Sequence, residues 1–232
     1  MIHLKQNNRS INKQPCYLCD NLCSGFICQE CQIDLPKLER RCYRCALPLN
    51  ATSPQTICGQ CIKSPPAFSS TQAVFHYRFP INSLLPAIKQ RHELHHLNWL
   101  CEALLEELLS KPQAWPDVLI PVPSHAGRLF ARGFNPPTLI ARFLGKQLGI
   151  PVLINQLIKV RRTPHQAALS ARQRHTNLAG AFSYKGEPYS HVAIVDDIMT
   201  TGATFHEISR VLLKCGVQRV DNWVIARTPA ER

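Results

Sequence analysis

Eight cysteines form four Cys-x-x-Cys pairs within the first 61 residues of the chain. The pairs are Cys16/Cys19, Cys28/Cys31, Cys42/Cys45 and Cys58/Cys61. Because a Cys-x-x-Cys turn presents two thiolates to one tetrahedral ion, four pairs can bind two zinc ions, taken either sequentially or interleaved. A module this short has too small a core to fold unaided, so we expect the metal to be structural.

The alternatives for these thiols are disulfides, an iron–sulfur cluster or a redox-active pair. Nine of the eleven cysteines lie between Cys16 and Cys61. The amino-terminal residues lack the apolar segment of a signal peptide, which favours a cytoplasmic protein with reduced thiols. Four regularly repeated pairs are more typical of zinc ribbons, and Cys23 is left as a spare thiol.

A second group of chemically informative residues follows the apolar segment Val192 to Val195. Two adjacent carboxylates and a turn of small and hydroxyl-bearing residues make up the group: Asp196, Asp197, Thr200, Thr201, Gly202, Ala203 and Thr204. Amides at a helix start bind anions, while carboxylates accept hydrogen bonds from vicinal hydroxyls or bind Mg²⁺. The pattern predicts a site for a phosphate, a diol and a metal ion, and Thr204 with Glu207 also predicts a capping box.

Positive charge is concentrated in the middle of the chain. Ten Lys and Arg residues and no acidic residue lie between Asp117 and Glu187, in a chain of formal charge +12. Such a stretch favours an anionic partner, although a solvated basic surface is the alternative for any single arginine. The candidates for binding a pyrophosphate, or for a lid over it, are Ser124, Arg128, Arg132, Arg162, Gln166, Arg172 and Arg174.

Short apolar segments alternate with amphipathic ones through the last two-thirds of the chain. We predict strands at 72–79, 117–122, 150–153, 191–195 and 219–226, and helices at 97–109, 138–148 and 204–215. Such alternation predicts an α/β fold with a parallel sheet and flanking helices, in which ligands bind at the carboxyl ends of strands. Prolines at 65 and 66 predict a linker, which gives a flexible tail at 1–15, a zinc module at 16–66 and the α/β domain at 67–232.

The segment 192–204 resembles the binding motif for 5-phosphoribosyl-1-pyrophosphate (PRPP) of type I phosphoribosyltransferases: an apolar strand, two acidic residues and Thr-Thr-Gly-x-Thr. From about residue 16 to 228 the chain resembles the ComF family, in which a double zinc ribbon precedes a phosphoribosyltransferase-type domain. Other matching segments are Pro121-Val122-Pro123, Arg132-Gly133-Phe134-Asn135, Arg162-x-Thr-x-x-Gln166-x-x-Leu169, Arg174-x-x-Asn177 and Ala181-Phe182. One departure is Gln90 after Lys89, where the family usually has an aromatic residue.

The resemblance implies that Asp196 and Asp197 hold the ribose hydroxyls of PRPP, together with Mg²⁺, and that residues 200–204 wrap its 5′-phosphate. It also implies a part in DNA uptake or utilisation, with single-stranded DNA and DNA-uptake proteins as partners. One alternative is an active phosphoribosyltransferase with an unidentified acceptor. Another is a metal-stabilised adaptor for proteins, since zinc ribbons also bind proteins.

Overall fold

The computed structural model describes residues 13–50, 54–91, 93–124, 127, 129–130, 133–161 and 178–229. The chain divides into two compact units, Met1–Leu35 and Pro36–Arg232. The division falls between the second and third cysteine pairs. The limits that the sequence suggests for tail, zinc module and α/β domain stay predictions.

The smaller unit contains a short antiparallel hairpin and one short helix. Strands β1 (Gln14–Pro15) and β2 (Leu22–Cys23) pair with each other, and helix α1 (Gln29–Ile33) follows. Tyr17 and Phe26 stack with ring centroids 5.0 Å apart. The cysteines lie around these elements, so little apolar core is available to the unit besides them.

The larger unit is built on a parallel sheet. Its helices are α2 (Gly59–Lys63), α3 (Ile81–Arg91), α4 (His95–Leu109), α5 (Pro136–Leu148) and α6 (Ala203–Lys214). Its strands are β3 (Ser70–His76), β4 (Val118–Pro121), β5 (Leu157–Lys159), β6 (Phe182–Tyr184), β7 (His191–Met199) and β8 (Arg219–Arg227). The four-stranded sheet has the order β3-β8-β7-β4 with every pair parallel, and β5 pairs with β6 in a separate antiparallel ribbon.

Helices cover both faces of this sheet. Successive side chains of a strand point to opposite faces, so a strand buried on both sides needs cover on both. Val192 and Ile194 of β7 share an apolar cluster with Phe205 of α6. On β4, Leu119 lies against α5, where a β carbon placed on Gly145 would be 3.8 Å from its Cδ1. The predicted parallel α/β fold is confirmed.

The prediction of an extended strand at 150–153 is wrong. It is reduced to one parallel bridge between Val152 and Leu119, made by hydrogen bonds from Leu119 N to Pro151 O and from Leu153 N to Leu119 O, each 2.9 Å. Pro151 has no amide hydrogen to donate, so the hydrogen-bond ladder with β4 cannot extend to the residues before Val152. The turn before the bridge is formed by Gly149, whose φ of 70° ends α5 as predicted.

Helix α4 buries one face, as its leucine spacing predicts. Leu97, Leu100, Leu104 and Leu108 are buried, and Leu105 is half-buried. Among the described residues, no helix is both long enough and apolar enough to cross a membrane.

Replacing Leu104 with Ala tests this packing, because Leu104 is fully buried whereas Leu109 in the same helix is 47% exposed. We expect Leu104→Ala to lower the free energy of unfolding by about 3 kcal/mol through lost burial and a residual cavity. Leu109→Ala should change it by less than about 0.5 kcal/mol. Urea unfolding followed by circular dichroism measures both, and equal effects would contradict the assignment of the buried face.

Candidate phosphate-binding and metal-binding sites

The two carboxylates lie near the C-terminal end of strand β7. The carboxyl ends of the parallel strands meet here, and we call this side of the sheet the carboxyl edge. The strand continues past the predicted end at residue 195 to Met199, because Asp196, Ile198 and Met199 keep their pairing with β8. On the other side, Val122 N donates to Val195 O over 2.9 Å, so the chain that follows β4 leaves at the same edge. The sheet therefore delivers Asp196 and Asp197 where parallel sheets bind ligands.

The electrostatics of the two aspartates differ. Asp197 is buried and forms an ion pair with Lys89 of α3. Asp196 is partly buried, and its Oδ1 accepts a hydrogen bond of 2.8 Å from the amide of Asp197. Burial, followed by the charge of Asp197, raises the pKa of Asp196 well above the usual aspartate range, while Lys89 acts to lower it. The pair offers acceptor oxygens whose negative charge a cation or a proton can share.

A left-handed glycine starts the helix after the carboxylates. Gly202 has φ 81° and precedes α6, and Ala203 N donates to Thr201 Oγ1 over 3.3 Å. A side chain at Gly202 would be strained by this φ, since L residues rarely adopt it. Thr200 is exposed and Thr201 and Thr204 are half-buried, whereas Ala203 is buried. We call residues 200–204 the phosphate loop, because the first amides of a helix lack partners within the helix and can bind an anion.

The predicted capping box is wrong. The residue before α6 is Gly202, which provides no side-chain cap. Glu207 turns away from the helix start: its Oε1 accepts from Gly180 N over 2.9 Å, and its Oε2 accepts from Arg210 Nε over 3.0 Å. The carboxylate thus fixes the chain at Gly180, near the end of the basic stretch between Asp117 and Glu187.

Ser124 is the only pyrophosphate candidate that falls among the described residues. It follows β4 at the carboxyl edge, and its Oγ donates to Asn135 Oδ1 over 2.7 Å. Asn135 in turn donates to Val122 O and Thr138 Oγ1, both at 3.0 Å, which links the end of β4 to the start of α5. The remaining candidates, Arg128, Arg132, Arg162, Gln166, Arg172 and Arg174, lie outside the described residues.

The four cysteine pairs group sequentially, which resolves the choice that their spacing leaves open. We name the two groups the first four-cysteine site, Cys16, Cys19, Cys28 and Cys31, and the second four-cysteine site, Cys42, Cys45, Cys58 and Cys61. Within each group all Sγ atoms lie within 4.8 Å of one another. The first site belongs to the smaller unit and the second to the larger one.

Both sites share one backbone arrangement. In each, the amide of the third cysteine donates to the Sγ of the first over 3.3 Å, from Cys28 to Cys16 and from Cys58 to Cys42. In each, the residue after the second cysteine has a positive φ, 60° at Asp20 and 53° at Ala46. A short helix, α1 or α2, then carries the last cysteine. The repetition indicates two copies of one ribbon-like unit.

The sulfur geometry fits zinc. The Sγ atoms of Cys19 and Cys28 are 3.6 Å apart, and those of Cys45 and Cys58 are 3.7 Å apart. A tetrahedron with Zn–S distances of about 2.3 Å has edges of about 3.8 Å. Each site could therefore hold one zinc ion, and four thiolates would complete the tetrahedron and leave no open catalytic position.

Hydrogen bonds favour the metal-binding thiolate form at the first cysteine of each site, whereas the pKa values of Cys28, Cys31, Cys45 and Cys61 are raised. The Cys45 thiol, followed by backbone amides, lowers the pKa of Cys42 to about 4. Burial acts to raise the pKa of Cys16, but backbone amides outweigh it and lower that pKa to about 6. Cys16 and Cys42 therefore lose their protons more readily than an ordinary thiol does.

Two residues of these sites were not identified by the sequence analysis. Lys89 pairs with Asp197, and Arg227 at the end of β8 is buried against the phosphate loop and the second four-cysteine site. For Lys89 the only signal was its place in a segment that resembles the ComF pattern. Arg227 gave no signal, since its partners lie far away in the sequence.

Comparison with known proteins relates the whole chain to proteins of DNA competence and utilisation. The chain is 34% identical to competence protein F of Haemophilus influenzae, over 89% of this chain and 93% of that protein. It is 33% identical to DNA utilization protein YhgH of Salmonella typhimurium, over 92% and 96%, and 25% identical to competence protein ComFC of Bacillus subtilis, over 89% and 91%. A scan against models of protein families finds no match.

Among solved structures, a purine phosphoribosyltransferase from Pyrococcus horikoshii superposes with a TM-score of 0.36 at 22% identity, over 57% of this chain and 74% of that one. That superposition supports no assignment of residues. The larger unit is a parallel α/β domain that contains the loop 200–204 and the second four-cysteine site, and the first four-cysteine site lies in the smaller unit. With relatives above 30% identity over nearly its whole length, the chain belongs to the ComF family, and the resemblance inferred from the sequence is confirmed.

Metal content tests the four-cysteine sites. We expect the purified protein to carry two zinc ions per chain, one for each cluster of thiols. Cys19→Ser and Cys45→Ser should each lower this to about one, because each removes one of four ligands from a single site. Elemental analysis by mass spectrometry measures the content, and iron in place of zinc, or no metal at all, would refute the assignment.

Proposed function

We propose that the larger unit binds PRPP at the carboxyl edge of its sheet. In this proposal the phosphate loop binds the 5′-phosphate through its amides and threonine hydroxyls, and Asp196 and Asp197 accept hydrogen bonds from the ribose hydroxyls. The main support for this proposal is the set of features at the carboxyl edge: two adjacent carboxylates in β7, a left-handed glycine and the start of α6. These groups match a phosphate and a vicinal diol separated by one sugar ring.

The carboxylates also suit a magnesium ion that accompanies the pyrophosphate, since Mg²⁺ prefers oxygen ligands and commonly joins carboxylates to phosphates. Asp196 supports this because burial and the charge of Asp197 raise its pKa, and a cation beside it would offset both by stabilising the carboxylate. Lys89 would hold Asp197 in place until ligand binds. Ser124 and the arginine candidates are proposed to receive the pyrophosphate, at the end of β4 and from the segment before Gly180.

We propose further that the protein takes part in DNA uptake or utilisation in the cytoplasm, by handling single-stranded DNA. The relatives named for competence and for DNA utilization support this, and so does the positive charge between residues 117 and 187. Arg142, Lys146, Arg161 and Lys185 are exposed members of that stretch. Exposed cations of this kind bind nucleic-acid backbones by releasing counterions.

Turnover is the second candidate. The observation that favours it is that carboxylates, phosphate loop and basic segments would surround both ends of PRPP, as transfer of its phosphoribosyl group to an acceptor requires. Release of pyrophosphate that depends on an added acceptor would distinguish turnover from binding alone.

Replacing both carboxylates tests the PRPP site. Asp196→Asn with Asp197→Asn should weaken Mg²⁺-PRPP binding by at least about 100-fold, because each hydrogen bond to a charged group contributes about 1.5–3 kcal/mol. Asp117→Asn is the matched control: it makes the same change at the opposite edge of the same sheet, where Asp117 Oδ2 accepts from His191 N. Calorimetry measures the affinities, with thermal unfolding as a check on folding. Equal affinities in the wild type and the double variant would overturn the site.

Salt dependence tests the DNA proposal. We expect the affinity for a fluorescent single-stranded oligonucleotide to fall by about tenfold or more between roughly 50 and 200 mM salt, because backbone binding releases counterions. Fluorescence anisotropy measures this with and without Mg²⁺-PRPP. Absence of binding at low salt would contradict DNA handling and leave a small-molecule phosphoribosyltransferase as the better explanation.

A further inference from the structure

Arg227 joins the second four-cysteine site to the phosphate loop by direct hydrogen bonds. Its Nε donates to Cys45 O over 2.8 Å. Its Nη1 lies in hydrogen-bond contact with Thr200 O, the first carbonyl of the phosphate loop, and within 3.3 Å of Met199 O. Arg227, which is only 4% exposed, therefore spans the two sites with its guanidinium group.

A second connection runs through the chain that follows α2. Ala67 N donates to His206 Nδ1 in the first turns of α6 over 3.1 Å. Phe68 is buried beside the loop, where a β carbon placed on Gly202 would lie 3.8 Å from its Cζ. A cavity of about 260 Å³ between the two connections is lined by Cys45, Cys61, Thr201, Gly202, His206 and Arg227, among others.

The positive charge of Arg227 is a further argument for a link between the two sites. The hydrogen-bond acceptors of Arg227 in the described part of the chain are carbonyl oxygens and the Thr228 hydroxyl. A buried guanidinium needs a compensating negative charge. Four thiolates outweigh the two positive charges of one zinc ion, so the filled second site would supply that charge beside Cys45.

We propose that Arg227 is a positioning residue that couples metal binding at the second four-cysteine site to phosphate binding at the loop. This inference rests on the proposed binding of PRPP. Metal fixes the Cys45 turn, the Cys45 carbonyl orients the guanidinium, and the guanidinium fixes the carbonyl of Thr200. A peptide group that is fixed at its oxygen is also fixed at its amide side, so the loop amides are held ready for the anion.

Such coupling has to act in both directions. If metal at the second site raises the affinity for PRPP, PRPP must raise the affinity for that metal by the same factor. Typical couplings between sites are about 5- to 150-fold. The first four-cysteine site, which belongs to the other compact unit, provides the internal comparison.

The experiment measures the zinc dissociation constant by equilibrium competition with a zinc-selective chromogenic chelator, with Mg²⁺ in excess and with or without saturating PRPP. Full-length Cys19→Ser reports on zinc at the second site, and full-length Cys45→Ser reports on zinc at the first. We expect PRPP to lower the zinc dissociation constant of Cys19→Ser by at least about fivefold and to leave that of Cys45→Ser unchanged. Equal zinc dissociation constants with and without PRPP in Cys19→Ser, under conditions where calorimetry shows PRPP bound, would overturn the coupling.

Adding Arg227→Gln to Cys19→Ser tests the residue itself. We expect the effect of PRPP on the zinc dissociation constant to disappear, because the glutamine amide cannot reach Cys45 O and Thr200 O together. Arg227→Lys keeps the charge without the planar fork, and serves if the glutamine variant does not fold; it should lose most of the effect. An undiminished effect of PRPP on zinc affinity in either folded variant would refute the role of Arg227. If the wild type binds no PRPP in calorimetry, the proposed function fails first, and this inference fails with it.

Discussion

The parallel pairing of β7 with β8 and β4 is the constraint on which the rest of the larger unit depends. Pairing with β4 up to Val195 and with β8 up to Met199 holds β7 in register, so its last residues cannot shift relative to β8. Because all four strands run in one direction, the segments after β4, β7 and β8 leave at one edge. Carboxylates, phosphate loop and Arg227 are neighbours for this reason, although they come from separate stretches of the chain.

Sites that could hold metal lie where little apolar core is available. The described residues of the smaller unit form one aromatic stack and elements of two to five residues, which is too little burial to offset the entropy of ordering them. The second four-cysteine site lies instead in a unit with a complete sheet core. Zinc would be essential for folding in the first case, whereas in the second it would mainly fix the local backbone around Cys45.

Local patterns predicted most of the fold. The predicted strand at 219–226 and the helix at 204–215 are confirmed to within two residues, as β8 and α6, because apolar periodicity and glycines are local signals. The expectation for Glu207 was wrong because a long-range partner, Gly180, competes for its carboxylate. Lys89 could not be assigned for a similar reason: α3 meets Asp197 only once the sheet has formed.

Under the proposed coupling, the position of Arg227 would give a metal at the second four-cysteine site a physical reason to accompany this α/β domain. Its Nε and the Cys45 carbonyl are 182 residues apart in sequence, so their hydrogen bond exists only in the folded unit. The Thr200 carbonyl lies two residues before the N-cap Gly202, outside the hydrogen bonds of the helix, and a buried guanidinium donates to it. Removing the metal would free the Cys45 turn and leave the buried Arg227 guanidinium with less compensating negative charge. The backbone of the phosphate loop, which Arg227 contacts, would then be held less firmly. A structural ion can influence ligand binding in this way without contacting the ligand.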